Sequence, residues 1–298
     1  MENKDTFSSY HPLVNFLYFG LVLVFSMAFL NPVCLAVSLF CAVAYSIYLS
    51  GRKAVRFSLL FMLPIFALFA LLNPVFSHEG ATILAYFPSG NPLTLESIIY
   101  GLAAGAMLIC VMMWFSCYNA VMTSDKFIYL FGRIIPSMSL ILSMTLRFVP
   151  RFKTQIKLVI SAQKCIGRDA SNGSVPEKIK NGITILSIMV TWALENAIET
   201  ADSMKSRGYG LRGRTAFSIY RFDRRDQIAL IYLLLCGAYI ILGAVLGGLR
   251  WSYYPMINGV TFGLFPLSLY LSYFALCTTP LVLNVRENRK WNALRSAA

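Results

Sequence analysis

Residues Glu195–Thr215 read ENAIETADSMKSRGYGLRGRT, an amphipathic segment running into a charged, glycine-containing tip at Ser206-Arg207-Gly208. Upstream, Ile179, Ile183, Leu186, Val190, Leu194, Ala197, Ala201 and Met204 recur at steps of three or four, which puts one apolar stripe on a helix. Pro176 near the start and Gly208 after the last turn are residue types that helices favour at those two ends. Lys205 and Arg207 fall where the carbonyl end of the helix dipole favours cations. The pattern predicts a helix over roughly 176–207 that presents Arg207 to another protein.

The rest of the chain has the composition of a membrane protein. Of its 298 residues, 57% are hydrophobic and only 13% charged, about half the charged share of a soluble domain, yet the net charge is +13. The basic residues are unevenly placed and form no run interleaved with aromatics in a soluble module, which argues against a nucleic-acid binder. Cys34, Cys41, Cys110, Cys117, Cys165, Cys236 and Cys277 form no CxxC pair, and all but Cys165 fall inside apolar spans, where packing is the expected role. His11 and His78 lie apart, and neither anchors a metal site without further ligands. The opening MENKDTFSSYHP has one lysine and no small-residue cleavage site, so no removable signal peptide is expected.

Apolar segments of spanning length fall at roughly 14–30, 33–49, 57–73, 95–121, 228–249 and 258–283. The expectation is an all-α membrane protein with about six transmembrane helices. Only Asn31-Pro32 separates the first two, which implies a tight hairpin or a pair of tilted helices. Every lysine and arginine except Arg250 falls on one side of this arrangement, so the positive-inside rule puts both termini and the central segment in the cytoplasm. The loop 74–94 lacks basic residues, and its Pro-Ser-Gly-Asn-Pro at 88–92 is turn chemistry.

The same reading divides the chain into 1–121 with about four spans, a cytoplasmic region 122–226, and 227–298 with about two spans and a tail. The central region is too apolar for a free domain and too polar to span. Ser137–Val149 is apolar except for Arg147, and Pro150 is expected to break or kink its helix. Beyond it, Lys153, Lys157 and Lys164 recur at helical spacing opposite Ile156, Val159 and Ile160. Two long helices at roughly 137–167 and 176–207, packed together at the inner membrane surface and each ending in a charged tip, are therefore expected. Glu195, Glu199 and Asp202 form an acidic row on the second. Either the row is a solvated face, with Asp202 supporting Lys205 at i+3, or it meets Arg147 and Arg151 and fixes the crossing.

Gly208-Tyr-Gly210-Leu-Arg-Gly213 satisfies G-x-G-x-x-G but ends a helix and follows no strand, so it is discounted as a dinucleotide site. Gly101-xxx-Gly105 and Gly243-xxx-Gly247 lie inside spans; they either let helices approach closely or reflect the general frequency of glycine in membrane helices. Apart from Glu96 at a span edge, the spans carry no ionisable residue, which argues against a proton-coupled carrier. No Ser/His, paired-Asp or zinc-spaced set is present either. The sequence offers no catalytic residue, no metal ligand set and no cofactor motif.

Five stretches carry a resemblance: His11-Pro12-Leu13-Val14-Asn15; Asn73-Pro74 through Leu93-Thr94; Leu146-Arg147-Phe148-Val149-Pro150; Ala162-Gln163; and Ala201–Gly210 with Arg214-Thr215. Together they resemble the transmembrane T component of energy-coupling factor (ECF) transporters, the CbiQ/EcfT-like family, over nearly the whole chain. The resemblance implies a non-catalytic bacterial subunit in the cell membrane, associated with lipid but not with nucleic acid. Its implied partners are two cytoplasmic ABC ATPases and one membrane substrate-binding S component, and its cargo a vitamin or a transition-metal ion. It also implies that the two long helices are coupling helices, each docking on one ATPase through an Ala-Arg-Gly-like motif. Ser206, Arg207 and Gly208 match the second motif. The first departs from it: Gln163-Lys164 is followed by Cys165-Ile166-Gly167-Arg168, with arginine past the glycine. Docking there is expected to involve Gln163, Gly167 and Arg168, with a shifted helix end and an unlike pair of ATPases. A secondary carrier or channel working without ATPases is the alternative from another class, and a membrane scaffold or an enzyme of lipid metabolism a third.

Overall fold

The computed structural model describes residues 5–86, 91–132, 136–168, 174–209, 211, 220–259 and 263–297. Eight α-helices carry these residues: α1 (Pro12–Ala28), α2 (Pro32–Phe76), α3 (Leu95–Val121), α4 (Ser124–Gly132), α5 (Pro136–Cys165), α6 (Val175–Ser206), α7 (Arg224–Val245) and α8 (Leu264–Ala297). Two short antiparallel pairs accompany them, β1 (Ile83–Tyr86) with β2 (Pro92–Thr94) and β3 (Trp251–Ser252) with β4 (Asn258–Gly259). Contacts divide the chain into two units: Met1–Lys126 with Tyr220–Ala298, and Phe127–Ile219.

The first unit holds the apolar helices. Pro32–Arg52, Leu95–Val121, Arg224–Val245 and Leu264–Lys290 are long and apolar enough to cross a membrane; Pro12–Ala28 and Met62–Phe76 are apolar but shorter. Asn31 caps α2 by accepting the Val33 N–H at 3.0 Å, and Pro32 fills the first helical position, where no amide donor is needed. These two residues make the tight α1–α2 link. At 45 residues α2 would be about 67 Å long if straight, twice a bilayer core, and it is divided at Gly51, whose φ of +78° only glycine adopts readily. The last span starts at Leu264 rather than near 258, because Asn258-Gly259 is spent in pairing with Trp251-Ser252.

Glycine lets helices approach closely at several points. A Cβ on Gly101 would lie 3.0 Å from the Asn73 Cβ and 3.3 Å from the carbonyl oxygens of Phe69 and Ala70, and one on Gly105 would lie 2.8 Å from the Phe66 ring. The 101/105 pair is thus a packing seam between α2 and α3. At Gly243 the neighbour is the Leu269 side chain of α8.

Trp114, Tyr18, Tyr45, Tyr273, Phe7 and Phe19 are among the largest fully buried side chains. Buried polar groups in this core pair across helices, as they must in lipid. Ser38 Oγ of α2 meets Ser26 Oγ of α1 at 2.8 Å and accepts the Trp114 indole N–H of α3 at 2.9 Å; Ser26 also meets Tyr273 of α8 at 3.2 Å. Cys34, Cys41, Cys110, Cys117 and Cys277 are buried free thiols, whereas Cys165 is exposed.

Each end of this unit is tied by polar side chains. Where α3 ends, Asp5 accepts from Tyr45 at 3.0 Å and from the Asn284 amide, and the Thr6 N–H donates to Asn284 Oδ1 at 2.7 Å. Lys126 Nζ donates to Ser8 O at 2.6 Å, Ser8 Oγ at 2.9 Å and Val121 O at 2.9 Å, and Asp226 accepts the His11 N–H at 3.1 Å. With the Asn15 amide turned to suit its neighbours, its oxygen accepts from Lys126 at 3.2 Å. Where α3 begins, the 3% exposed Glu96 accepts the Thr82 hydroxyl at 2.7 Å, and the Ala81 N–H donates to Pro255 O at 3.0 Å. Of the Pro-Ser-Gly-Asn-Pro turn, residues 88–90 lie outside the described residues, but the strands flanking it pair as a hairpin.

In the second unit α5 and α6 pack on each other. Val159, Ile185 and Met189 are buried at the contact, with Ile188 and Trp192 beside them. Two details differ from the expectation. Helix α5 runs through Pro150 without a break, although proline withholds one backbone donor. Moreover, the stripe formed by Ile179, Ile183, Leu186, Val190 and Leu194 is exposed on this chain, and the face turned to α5 carries Ile185, Ile188, Met189 and Trp192 instead. Helix α6 is apolar on two faces, and periodicity alone could not choose between them. Its start is held by a capping box, in which Ser174 caps the first turn and Glu177 accepts the Ser174 N–H at 3.0 Å.

Candidate coupling site

The two long helices finish in the same hydrogen-bonded turn. In α6 the Gly208 N–H donates to Lys205 O at 2.9 Å and the Tyr209 N–H to Met204 O at 3.0 Å. In α5 the Gly167 N–H donates to Lys164 O at 3.0 Å and the Arg168 N–H to Gln163 O at 2.9 Å. Both glycines have φ of +74°. This paired pattern, with a left-handed glycine two places past the last helical residue, is the Schellman cap, and it satisfies carbonyls that a helix end otherwise leaves open.

Superimposing the two caps residue by residue puts Gln163 with Met204, Lys164 with Lys205, Cys165 with Ser206, Ile166 with Arg207, Gly167 with Gly208, and Arg168 with Tyr209. The end of α5 is therefore not shifted. Gly167 does for α5 what Gly208 does for α6, and the residue standing where Arg207 stands is Ile166, 65% exposed. Arg168 lies beyond the left-handed residue, where the chain has already turned back onto the helix. The paired caps could have been read from sequence by aligning the glycines instead of the arginines.

Ser206, Arg207, Cys165 and Arg168 are all exposed. Ser206 Oγ donates to Ser203 O at 2.9 Å, which holds its hydroxyl against the last turn. Gln163 is half-buried, and its Oε1 is enclosed without a hydrogen-bond partner. Gly210 and residues 212–215, including Gly213, Arg214 and Thr215, lie outside the described residues.

Along the crossing, Arg147, Arg151, Glu195 and Glu199 are exposed. Among the described residues no ion pair joins either arginine to either glutamate. Arg151 instead lies over the Trp192 ring at 5.8 Å from its centroid, and Phe152 meets the same ring edge-on at 5.2 Å. Asp202 and Lys205 are 3.9 Å apart, the i+3 pair of a solvated face. A cavity of about 320 Å³ beside the contact is lined by Thr145, Phe148, Val149, Phe152, Lys153, Ile156 and Met189.

Helices long and apolar enough to cross a bilayer, and a pair of long helices with matching caps, define an all-α membrane protein. The model of the CbiQ family, described as a cobalt transport protein, matches residues 9–217, and the chain belongs to that family. Among curated relatives, the energy-coupling factor transporter transmembrane protein EcfT of Listeria innocua is 31% identical over 211 residues, which cover 64% of this chain and 77% of the relative. The Staphylococcus aureus protein of that name is 27% identical over 181 residues, 57% and 67% of the two chains. The Lactobacillus helveticus protein is 32% identical over 102 residues, 34% and 37% of the two. The chain is a transmembrane component of the ECF transporter type, from a family with bacterial membrane relatives.

Proposed function

We propose that this chain couples ATP hydrolysis on two cytoplasmic ABC ATPases to a membrane S component that takes up a vitamin or a transition-metal ion, and performs no catalysis itself. The observation carrying this reading is the pair of matching caps at the ends of α5 and α6. Two long helices that cross at one apolar contact and end alike suit a part that receives movement at two tips and carries it elsewhere. In this reading 1–121 and 227–298 supply the spans and 122–226 the coupling region, with both termini cytoplasmic, as the placement of lysine and arginine supports.

Arg207 is the principal docking side chain. Its planar guanidinium pairs bidentately with carboxylates in a partner groove, and Gly208 lets the chain leave the helix without a side chain across that surface. Ser206 shapes the same tip; Gln163, Gly167 and Arg168 belong to the other. Arg147 and Arg151 with Glu195 and Glu199 flank the crossing, where Arg151 acts through Trp192.

The test is to co-express the tagged chain with ABC ATPases from the same genome and to compare wild type with Arg207→Glu and Arg168→Glu. The expected result is that ATPases come down with wild type and are lost with Arg207→Glu. Absence of any ATPase under all conditions would overturn the reading in favour of an uncoupled carrier or channel.

A further inference from the structure

We infer that Ile166 is the docking side chain of the α5 tip and that it seats in an apolar pocket of the ATPase met there. The inference rests on the coupling reading and assigns the chemistry of its two contacts. It follows from the register of the two caps. The Gly167 N–H reaches Lys164 O at 3.0 Å and the Gly208 N–H reaches Lys205 O at 2.9 Å, so the residue just before each glycine leaves its helix end from the same position. In α6 that residue is Arg207; in α5 it is Ile166, with 65% of its surface exposed.

One groove cannot serve both side chains well. A groove that binds a guanidinium offers carboxylates, and seating isoleucine there would strip those carboxylates of water with nothing in return. An apolar pocket filled by isoleucine would conversely have to desolvate an arginine without a partner. The flanking residues differ in the same sense: Cys165 stands for Ser206, which exchanges a hydroxyl for a thiol that behaves as a small hydrophobe. Arg168 does not restore the missing charge at that position. Its N–H is bonded back to Gln163 O at 2.9 Å, so its counterpart is Tyr209, past the turn.

The test uses the full chain in its complex with co-expressed ABC ATPases, carrying a photo-crosslinking amino acid at position 166 or at position 207. Position 166 is expected to label an ATPase as position 207 does, and labelling from 207 with none from 166 would overturn the inference. In parallel, Ile166→Asp is expected to weaken capture of the ATPase labelled from 166 by about tenfold or more, the loss of a buried anchor. Arg168→Ala is expected to weaken that capture less than Ile166→Asp does, and the reverse ranking would overturn the inference. Retention of the other ATPase by both variants reports that the chain is folded. If wild type captured no ATPase, the coupling reading would fall and this inference with it.

Discussion

Arg151 of α5 holds its guanidinium carbon 5.8 Å from the centre of the Trp192 ring of α6, and Phe152 closes on that ring at 5.2 Å with the planes nearly perpendicular. Charge is thus used at this crossing through an aromatic face and not through an ion pair.

A double-mutant cycle between Arg151→Ala and Trp192→Ala is therefore expected to show coupling of about 0.5–1 kcal/mol in the stability of the solubilised protein, as at other exposed cation–π pairs. The cycle between Arg147→Ala and Glu199→Ala is expected to be additive within about 0.5 kcal/mol. Strong coupling in the second cycle and none in the first would show that carboxylates fix the crossing.

The glycines that end α5 and α6 carry a conformational cost for any replacement. With φ of +74°, alanine at Gly167 or Gly208 is expected to cost about 1–2 kcal/mol at the tip. At Gly208 the added Cβ would also lie 3.0 Å from Leu211 Cδ1. Amide hydrogen exchange should show faster exchange in the last turn of the affected helix, with the remainder unchanged. Gly208→Ala should also weaken ATPase capture although Arg207 is intact.

Close approach of α2 and α3 depends on Gly101, where backbone carbonyls stand 3.3 Å from the place a Cβ would take. Gly101→Leu forces the helices apart and is expected to destabilise the protein by about 1–3 kcal/mol. Gly20, with nothing within 4 Å of that place, is the matched control. A thermal unfolding comparison of the two leucine variants checks the difference.

Lys126 gives the protein a pH dependence of known sign. Burial pulls its ammonium down from the ordinary 10.5 to about 8, against the opposing attraction of Asp5. Because the folded state then gives up the proton more readily than the unfolded one, its burial penalty is fully present below about pH 8 and is relieved as pH rises towards 10.5. Relative to Lys126→Met, wild type should gain stability across that window and show no difference in slope below it. A wild-type advantage that falls with rising pH would contradict this. At neutral pH the lysine remains charged, held by Ser8 and Val121 oxygens.

The membrane class and the helix plan are legible in the sequence because long apolar runs have few alternatives in a bilayer. Pro32, Pro176 and the capping residues Asn31 and Ser174 mark helix starts by local chemistry, and Gly208 marks a helix end in the same way. Local rules did not decide which face of α6 meets α5, since Leu186 and Ile185 are equally apolar and only packing separates them. Pro150 misleads for a related reason: a helix supported by its neighbour tolerates one missing donor. At the α5 tip the backbone is governed by Gly167, so the register of the cap runs from that glycine and not from the arginine after it. Trp192 carries no charge, so an account of the crossing built on ion pairs passes over it.

The central claim is that Arg207 transmits load by docking. It is tested most directly by the affinity of the full chain, in lipid nanodiscs, for its purified ATPases, compared with that of Arg207→Ala. Truncating one partner of a buried charge pair costs about 2–5 kcal/mol, so the account predicts a Kd raised by about thirtyfold to several thousandfold. An unchanged Kd would show that the α6 tip is not a docking site and would contradict the account.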